Sequence, residues 1–131
     1  GWHPYFLSHN LFDSALQFDS TEKMVLNEKN ITIGIEATKT KTDLKIKNKQ
    51  LDDCWTLNSN KVIFKTPKYH LKLKATGNNN FLQVYTPPKE NTIAIEPTTG
   101  VSDSFNNKIG LQTLNPSQSY YKTWKLKITA N

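Results

Sequence analysis

Tyr69-His70-Leu71-Lys72-Leu73-Lys74-Ala75 and Trp124-Lys125-Leu126-Lys127-Ile128 alternate between core-forming and mostly charged side chains, one residue at a time. That period of two belongs to a strand with one buried and one solvated face; a helix would place its apolar residues three and four apart. The alternation extends outward from these two stretches. Ile31-Thr32-Ile33-Gly34-Ile35 sends three isoleucines to one face, and Lys61 to Lys65, Phe81 to Tyr85, Thr92 to Glu96, Gly110 to Leu114 and the wider span Tyr121 to Thr129 read the same way. Breakers stand between them: Thr66-Pro67, Gly77-Asn78-Asn79-Asn80, Pro87-Pro88, Thr99-Gly100 and Asn115-Pro116-Ser117. Glycine and asparagine tolerate positive φ, so a turn is predicted at 77–80. Many short strands at close spacing predict an all-β fold, a sandwich or a barrel. Asp13 to Gln17 is expected to form a short helix. Lys39 to Lys49, with only Leu44 and Ile46 apolar, is expected to be an exposed edge strand whose lysines discourage unwanted pairing.

The chain has 131 residues, enough for one domain, with 36% hydrophobic and 21% charged residues, which permits a packed core. No apolar run approaches the roughly 20 residues of a membrane-spanning helix, and neither an initiator Met nor a signal segment is present. A chain opening on Gly1-Trp2-His3 reads as a piece of a longer one. The single Cys54 excludes an internal disulfide or a Cys-rich zinc site and fits either redox compartment; the cytoplasm is the expected location. The formal net charge is +6, and all 17 basic residues are lysine. Nucleic-acid recognition favours the forked guanidinium of arginine, which this chain lacks, so nucleic acid is not an expected partner, and without a spanning segment neither is a membrane.

His3 and His9 lie six apart, the wrong interval for a shared metal, and no nucleophile elbow, phosphate loop or dinucleotide fingerprint occurs. Three places could carry chemistry. Glu96 ends the apolar run Thr92-Ile93-Ala94-Ile95-Glu96-Pro97. Burial there would raise its pKa and suit it to general-base work, and the alternative is a carboxylate facing solvent at a strand end. His3 sits in Gly1-Trp2-His3-Pro4-Tyr5-Phe6, where aromatic neighbours would shelter an imidazole, either as an acid or as a stacked core residue. Asp52-Asp53-Cys54-Trp55 could bind sugar hydroxyls beneath a ring, or be a turn capped by Asp. Trp2, Trp55 and Trp124 read as core residues, and His70 as a solvated one.

Taken together, these stretches resemble the aldose 1-epimerase (galactose mutarotase-like) family. Gly1 to Phe6 resembles its histidine motif, in which Tyr-Phe closely follows the His. Leu51 to Trp55 resembles its aspartate motif. Val84-Tyr85-Thr86-Pro87 followed by Ile93 to Pro97 resembles its glutamate motif, and Asp103-Ser104-Phe105-Asn106 the Pro-Asp-Ala-Phe-Asn stretch after it. Leu114-Asn115-Pro116 and the Trp124 to Ile128 strand are similar to the closing hairpin. Ser102 and Ser104 stand where the family often has Pro and Ala.

The resemblance implies an antiparallel β-sandwich, with residues 1–131 forming one domain that is the C-terminal part of the family's larger sandwich. The N-terminal part, with another histidine and a substrate-binding arginine, would precede Gly1. It implies an isomerase that interconverts the α and β anomers of a hexose without a cofactor. Glu96 would be the general base, His3 the general acid on the ring oxygen, and Asp52 a ligand of substrate hydroxyls. The expected partners are a monosaccharide and either the missing N-terminal half or a second copy. The alternatives are a carbohydrate-binding sandwich without turnover and a hexose-6-phosphate 1-epimerase, which would need a cationic pocket.

Overall fold

A computed structural model describes residues 1–40 and 43–131. Eleven strands are found among them: β1 (Tyr5–Leu7), β2 (Ala15–Phe18), β3 (Ser20–Leu26), β4 (Thr32–Thr40), β5 (Leu44–Lys45), β6 (Asp52–Thr56), β7 (Lys61–Lys65), β8 (Tyr69–Ala75), β9 (Phe81–Tyr85), β10 (Thr92–Thr98) and β11 (Trp124–Ala130). They form a six-stranded sheet ordered β1-β10-β9-β6-β3-β4 and a five-stranded sheet ordered β11-β8-β7-β2-β5. The strand pairs within both sheets are antiparallel. The all-β sandwich read from the sequence is the observed fold.

The alternation in β8 explains why the two sheets stack. Leu71 and Leu73 are fully buried while His70, Lys72 and Lys74 face out, and β7 does the same with Val62 and Phe64. Opposite them, the six-stranded sheet contributes Leu82, Val84, Ile93, Ile95 and Trp55 to one shared core. β10 departs from the alternation, being buried on both faces from Thr92 through Pro97. Its second face lies beside a smaller cluster of Met24, Cys54, Phe81 and Val101, against which Leu26 and Ile109 pack. Burial on both sides makes β10 the strand best suited to hold a carboxylate out of water.

Strands β7, β8 and β9 run over the expected residues, and the 77–80 turn has Gly77 at φ 72° and Asn79 at φ 56°. Other expectations need correction. Asp13 to Gln17 is not a helix: a 3-10 turn occupies Leu11–Asp13 and β2 follows. Leu16 and Phe18 are buried and pair with Phe64 and Val62, so tertiary pairing overrides a weak local preference. Gly110 to Leu114 is not a strand. Gly110 turns the chain at φ 78°, and a Cβ there would collide with the Thr99 carbonyl oxygen and Gly100 Cα, a conformation and a contact that only glycine accommodates. The face shared by Ile33 and Ile35 is the exposed one, because β4 is an edge strand whose register places Ile35 beside Met24 on the outer side of its sheet. Asp52 to Trp55 is a strand and not a turn. Of the lysine-rich Lys39 to Lys49 stretch, residues 41 and 42 lie outside the described residues; β4 and β5 on either side are both sheet edges.

Replacing Phe64, fully buried at the centre of the sandwich, with Ala should cost about 3–5 kcal/mol in denaturant unfolding. Tyr121→Ala, at a side chain 86% exposed, should shift stability by no more than about 0.5 kcal/mol.

Candidate active site

Backbone register brings the expected site residues together. β1 pairs with β10 through Tyr5 opposite Ala94 and Phe6 opposite Ile93. The pairing continues upstream, where Ile95 N–H donates to Pro4 O at 3.3 Å and Trp2 N–H to Pro97 O at 3.1 Å. His3 therefore stands opposite Glu96, and its Nε2 lies 3.1 Å from Glu96 Oε1. The ring of Tyr5 lies against the imidazole, centroids 4.9 Å apart at 32°. Pro4, between them, holds the local φ near −65° and helps keep the segment extended.

The next strands carry the same face onward. Glu96 is opposite Gln83 on β9, which is opposite Cys54 on β6, and Asp52 lies one pleat along, opposite Tyr85. Both oxygens of Asp52 are held by amides: Gln83 Nε2 donates to Oδ1 and Asn30 Nδ2 to Oδ2, each at 2.8 Å. Asn30 reaches there from the turn between β3 and β4, where it adopts φ 58°. Asp53 points to the other face and pairs with Lys23 at 3.0 Å. The two adjacent acids are thus divided by the pleat, one in the site and one in a structural ion pair.

Glu96 and His3 differ sharply in exposure: the carboxylate side chain is 10% exposed and the imidazole 53%. Burial pushes the Glu96 carboxyl above the ordinary carboxylate range, His3 opposes that shift, and the Asp52 charge adds to it. The result is a carboxylate of increased basicity with a proton donor in contact. Cys54, in the floor of the same face, is pushed up to about 12 by burial and by the charges of Glu96 and Asp53. Its thiol stays protonated and is not a nucleophile.

The loop after β10 borders this face. Ser102 Oγ accepts from Thr32 N–H at 2.9 Å and lies 2.8 Å from Thr32 Oγ1, tying the loop to β4. A single helical turn, α1 (Ser104–Asn107), follows, with Asn106 Nδ2 donating to Asp103 Oδ1 at 2.6 Å and Phe105 80% exposed. Ser102, a departure from the family's common proline, thus has a structural role. A cavity of about 600 Å³ lies elsewhere, lined by His9, Phe12, Pro87, Lys89 and Glu90 and by neither His3 nor Glu96. Among the described residues, no three His, Cys, Asp or Glu side chains gather as metal ligands. The lysines of β7 and β8 alternate with core residues, and Lys125 and Lys127 of β11 lie opposite Lys74 and Lys72, so all of them occupy the outer face of the other sheet, away from Glu96.

His3, Glu96 and Asp52 are therefore on one face, as the family resemblance implied. Gln83, Asn30 and Tyr5 were not singled out from the sequence. Gln83 had a visible signal, being the one polar residue within Phe81-Leu82-Gln83-Val84-Tyr85. Asn30 had none, since its role depends on a turn folding across two strands. Trp55 is in the core as expected, its ring 5.2 Å from that of Phe18, whereas Trp2 is 38% exposed.

Comparison with known proteins agrees with this fold. The structure superposes on a crystal structure from Escherichia coli K12, itself provisionally assigned as an aldose 1-epimerase, with a TM-score of 0.82 at 14% identity. The match covers 99% of this chain and 50% of that one, so the chain spans about half that protein's length. No curated protein matches the chain. The profile of the aldose 1-epimerase family matches residues 1–127, nearly the whole chain, and the chain belongs to that family.

Proposed function

We propose that this chain carries the acid–base pair of an isomerase that interconverts the α and β anomers of a hexose. The observation that carries the reading is the 3.1 Å contact between a buried glutamate of increased basicity and an exposed histidine. An acid and a base held on one strand pair can act on two oxygens of the same small substrate. Glu96 removes the proton of the anomeric hydroxyl while His3 donates one to the ring oxygen. The C1–O5 bond breaks as the C1 carbonyl forms. Rotation about C1–C2 turns the other carbonyl face to the ring hydroxyl, and closure runs with the roles exchanged: His3 accepts that hydroxyl proton and Glu96 returns its own to the new anomeric oxygen. Asp52, its oxygens fixed by Gln83 and Asn30, keeps lone pairs free to accept hydrogen bonds from sugar hydroxyls. Tyr5 steadies the imidazole ring through its tilted ring contact. The residues at hand perform these proton transfers themselves, which is why the reading calls for no cofactor.

A non-catalytic sugar-binding module would have no use for a buried base touching an acid, and burying Glu96 is costly without a task. A hexose 6-phosphate would need a cationic pocket, and the strand lysines face the other way. A free hexose in the cytoplasm is the reading we favour.

The site is open on one side, and we propose that further strands, from an N-terminal half or from a second copy, complete it. β1 and β11 are edge strands at the same side of the sandwich, joined where Tyr69 of β8 donates its hydroxyl proton to Leu7 O at 2.8 Å. On β11, Leu126 and Ile128 share the inward side with Leu73 and Leu71 of β8, yet they are 38% and 58% exposed. Such edges and apolar side chains are stabilised by a covering partner. Light scattering of the chain alone should show self-association; a folded, monodisperse monomer would contradict this.

Polarimetry of α-glucose and α-galactose should show mutarotation above the buffer rate, with Glu96→Gln lowering the enzyme-dependent rate by about 10²- to 10⁴-fold. Undiminished rate in Glu96→Gln would overturn the role. The base must be ionised, so activity falls as pH falls through the Glu96 pKa. Because that pKa is raised, the acid limb should lie above the ordinary carboxylate value of 4.5. Asn30→Ala removes one of two amides on Asp52 and should raise KM several-fold, about 1 kcal/mol, with kcat nearly unchanged.

A further inference from the structure

The strand register of the five-stranded sheet gathers like charges on its outer face. Lys61 of β7 is opposite Lys74 of β8, which is opposite Lys125 of β11. One pleat along, Lys72 is opposite Lys127, and beyond them Lys65 is opposite His70. These side chains alternate with the buried Val62, Phe64, Leu71 and Leu73, so all of them leave the sheet on the solvent side. Strand spacing places the five lysines Lys61, Lys72, Lys74, Lys125 and Lys127 within about 10 Å across the strands and about 7 Å along them. Among the described residues, none of the five makes an ion pair, while Lys65 is paired with Asp43 at 3.3 Å.

Like charges directly opposite on neighbouring strands destabilise a sheet. A protein of net charge +6 that concentrates five unpaired lysines here has one face with a strong positive field. The opposite outer face, on the six-stranded sheet, carries Glu22, Asp52 and Glu96. The molecule is therefore polarised across its thickness, with the candidate active site on the acidic side.

We propose that the lysine face of β7, β8 and β11 is a docking surface for an anionic lipid leaflet. Three features favour a membrane surface over a nucleic acid. The lysines spread over the face of a sheet and do not line a groove that could track a single phosphate backbone. They are point charges without arginine forks to read base edges. The outer positions of these strands also carry no Phe, Tyr or Trp on which unpaired bases could stack. A plane of lysines needs only a plane of negative charge, which a phosphatidylserine-containing cytoplasmic leaflet supplies at about 1 kcal/mol per lysine. Docking in this orientation turns the His3–Glu96 face away from the membrane and leaves it open to substrate. The contact is peripheral: no helix among the described residues is long and apolar enough to cross a bilayer. The absence of an expected membrane partner rested on the lack of a spanning segment, which does not bear on surface binding.

The test is sedimentation of the protein with vesicles of phosphatidylcholine containing about one-third phosphatidylserine, against vesicles of phosphatidylcholine alone. Binding is expected only to the anionic vesicles and should fall steeply as salt is raised, since exposed charges are screened within about 10 Å at 0.1 M. Substituting Lys72, Lys74 and Lys127 together with Gln should weaken it about 100-fold, at about five-fold per lysine. That variant should also melt at a higher temperature, because cross-strand repulsion is relieved. The control, Lys29, Lys49 and Lys89 substituted with Gln, removes the same charge elsewhere and should change binding much less. Failure to sediment with anionic vesicles, equal loss in both variants, or tighter binding to duplex DNA than to the vesicles at the same salt would each overturn the proposal. The salt titration of the unsubstituted protein reads the electrostatic contact even if a variant folds poorly. Mutarotation measured alongside separates this proposal from the catalytic one, because the lysine variant should retain full activity.

Discussion

Everything proposed for the site depends on one backbone pairing, that of residues 2–7 with residues 92–97. It places an imidazole from an extended segment directly across from a carboxylate on the most deeply buried strand of the sheet. The pairing is what makes His3 usable, because it fixes the extended segment that carries the imidazole against a buried strand. It is held by the ladder hydrogen bonds, by Trp2 N–H to Pro97 O, and by the Tyr5 ring against His3. Glu96 in turn keeps its basicity because β10 is covered on both faces, by the main core on one side and by the neighbourhood of the Cys54 cluster on the other.

The six-stranded sheet thus separates two jobs by its pleat. Ile93, Ile95, Leu82, Val84 and Trp55 face inward and bear the packing energy of the sandwich. Glu96, Gln83, Asp52 and Tyr5 face outward and form the candidate site. The adjacent pair Asp52 and Asp53 shows the division within two residues, one clamped by amides in the site and one paired with Lys23 behind it. A one-residue slip of register would exchange these roles, so the core and the site enforce the same alignment.

What could be read in advance follows from where the information lies. β7, β8 and β9 were legible because a half-buried or buried strand writes its faces into local alternation or a short apolar run. β2 was not, because four residues of mixed type carry little period, and their state is decided by Phe64 and Val62 on a distant strand. Gly110 to Leu114 misled for a different reason: its glycine must turn against Gly100, a contact that the stretch itself does not display. The same contrast holds in the site. Glu96 and His3 stood out as ionisable groups among apolar neighbours, and family resemblance joined them. Their contact, and the clamp of Asn30 and Gln83 on Asp52, depend on strand order and on a turn with positive φ, neither of which is a property of any single stretch.

The central claim is that His3 and Glu96 act as one unit, and a double-mutant cycle tests it most directly. Mutarotation rates would be measured for His3→Gln, Glu96→Gln and the double variant under conditions where the unsubstituted protein is active. If the two transfer protons on one substrate, the double variant should be about as slow as the slower single variant, because losing either member disables both. Losses that simply multiply would mean that the residues contribute independently, and would contradict the account.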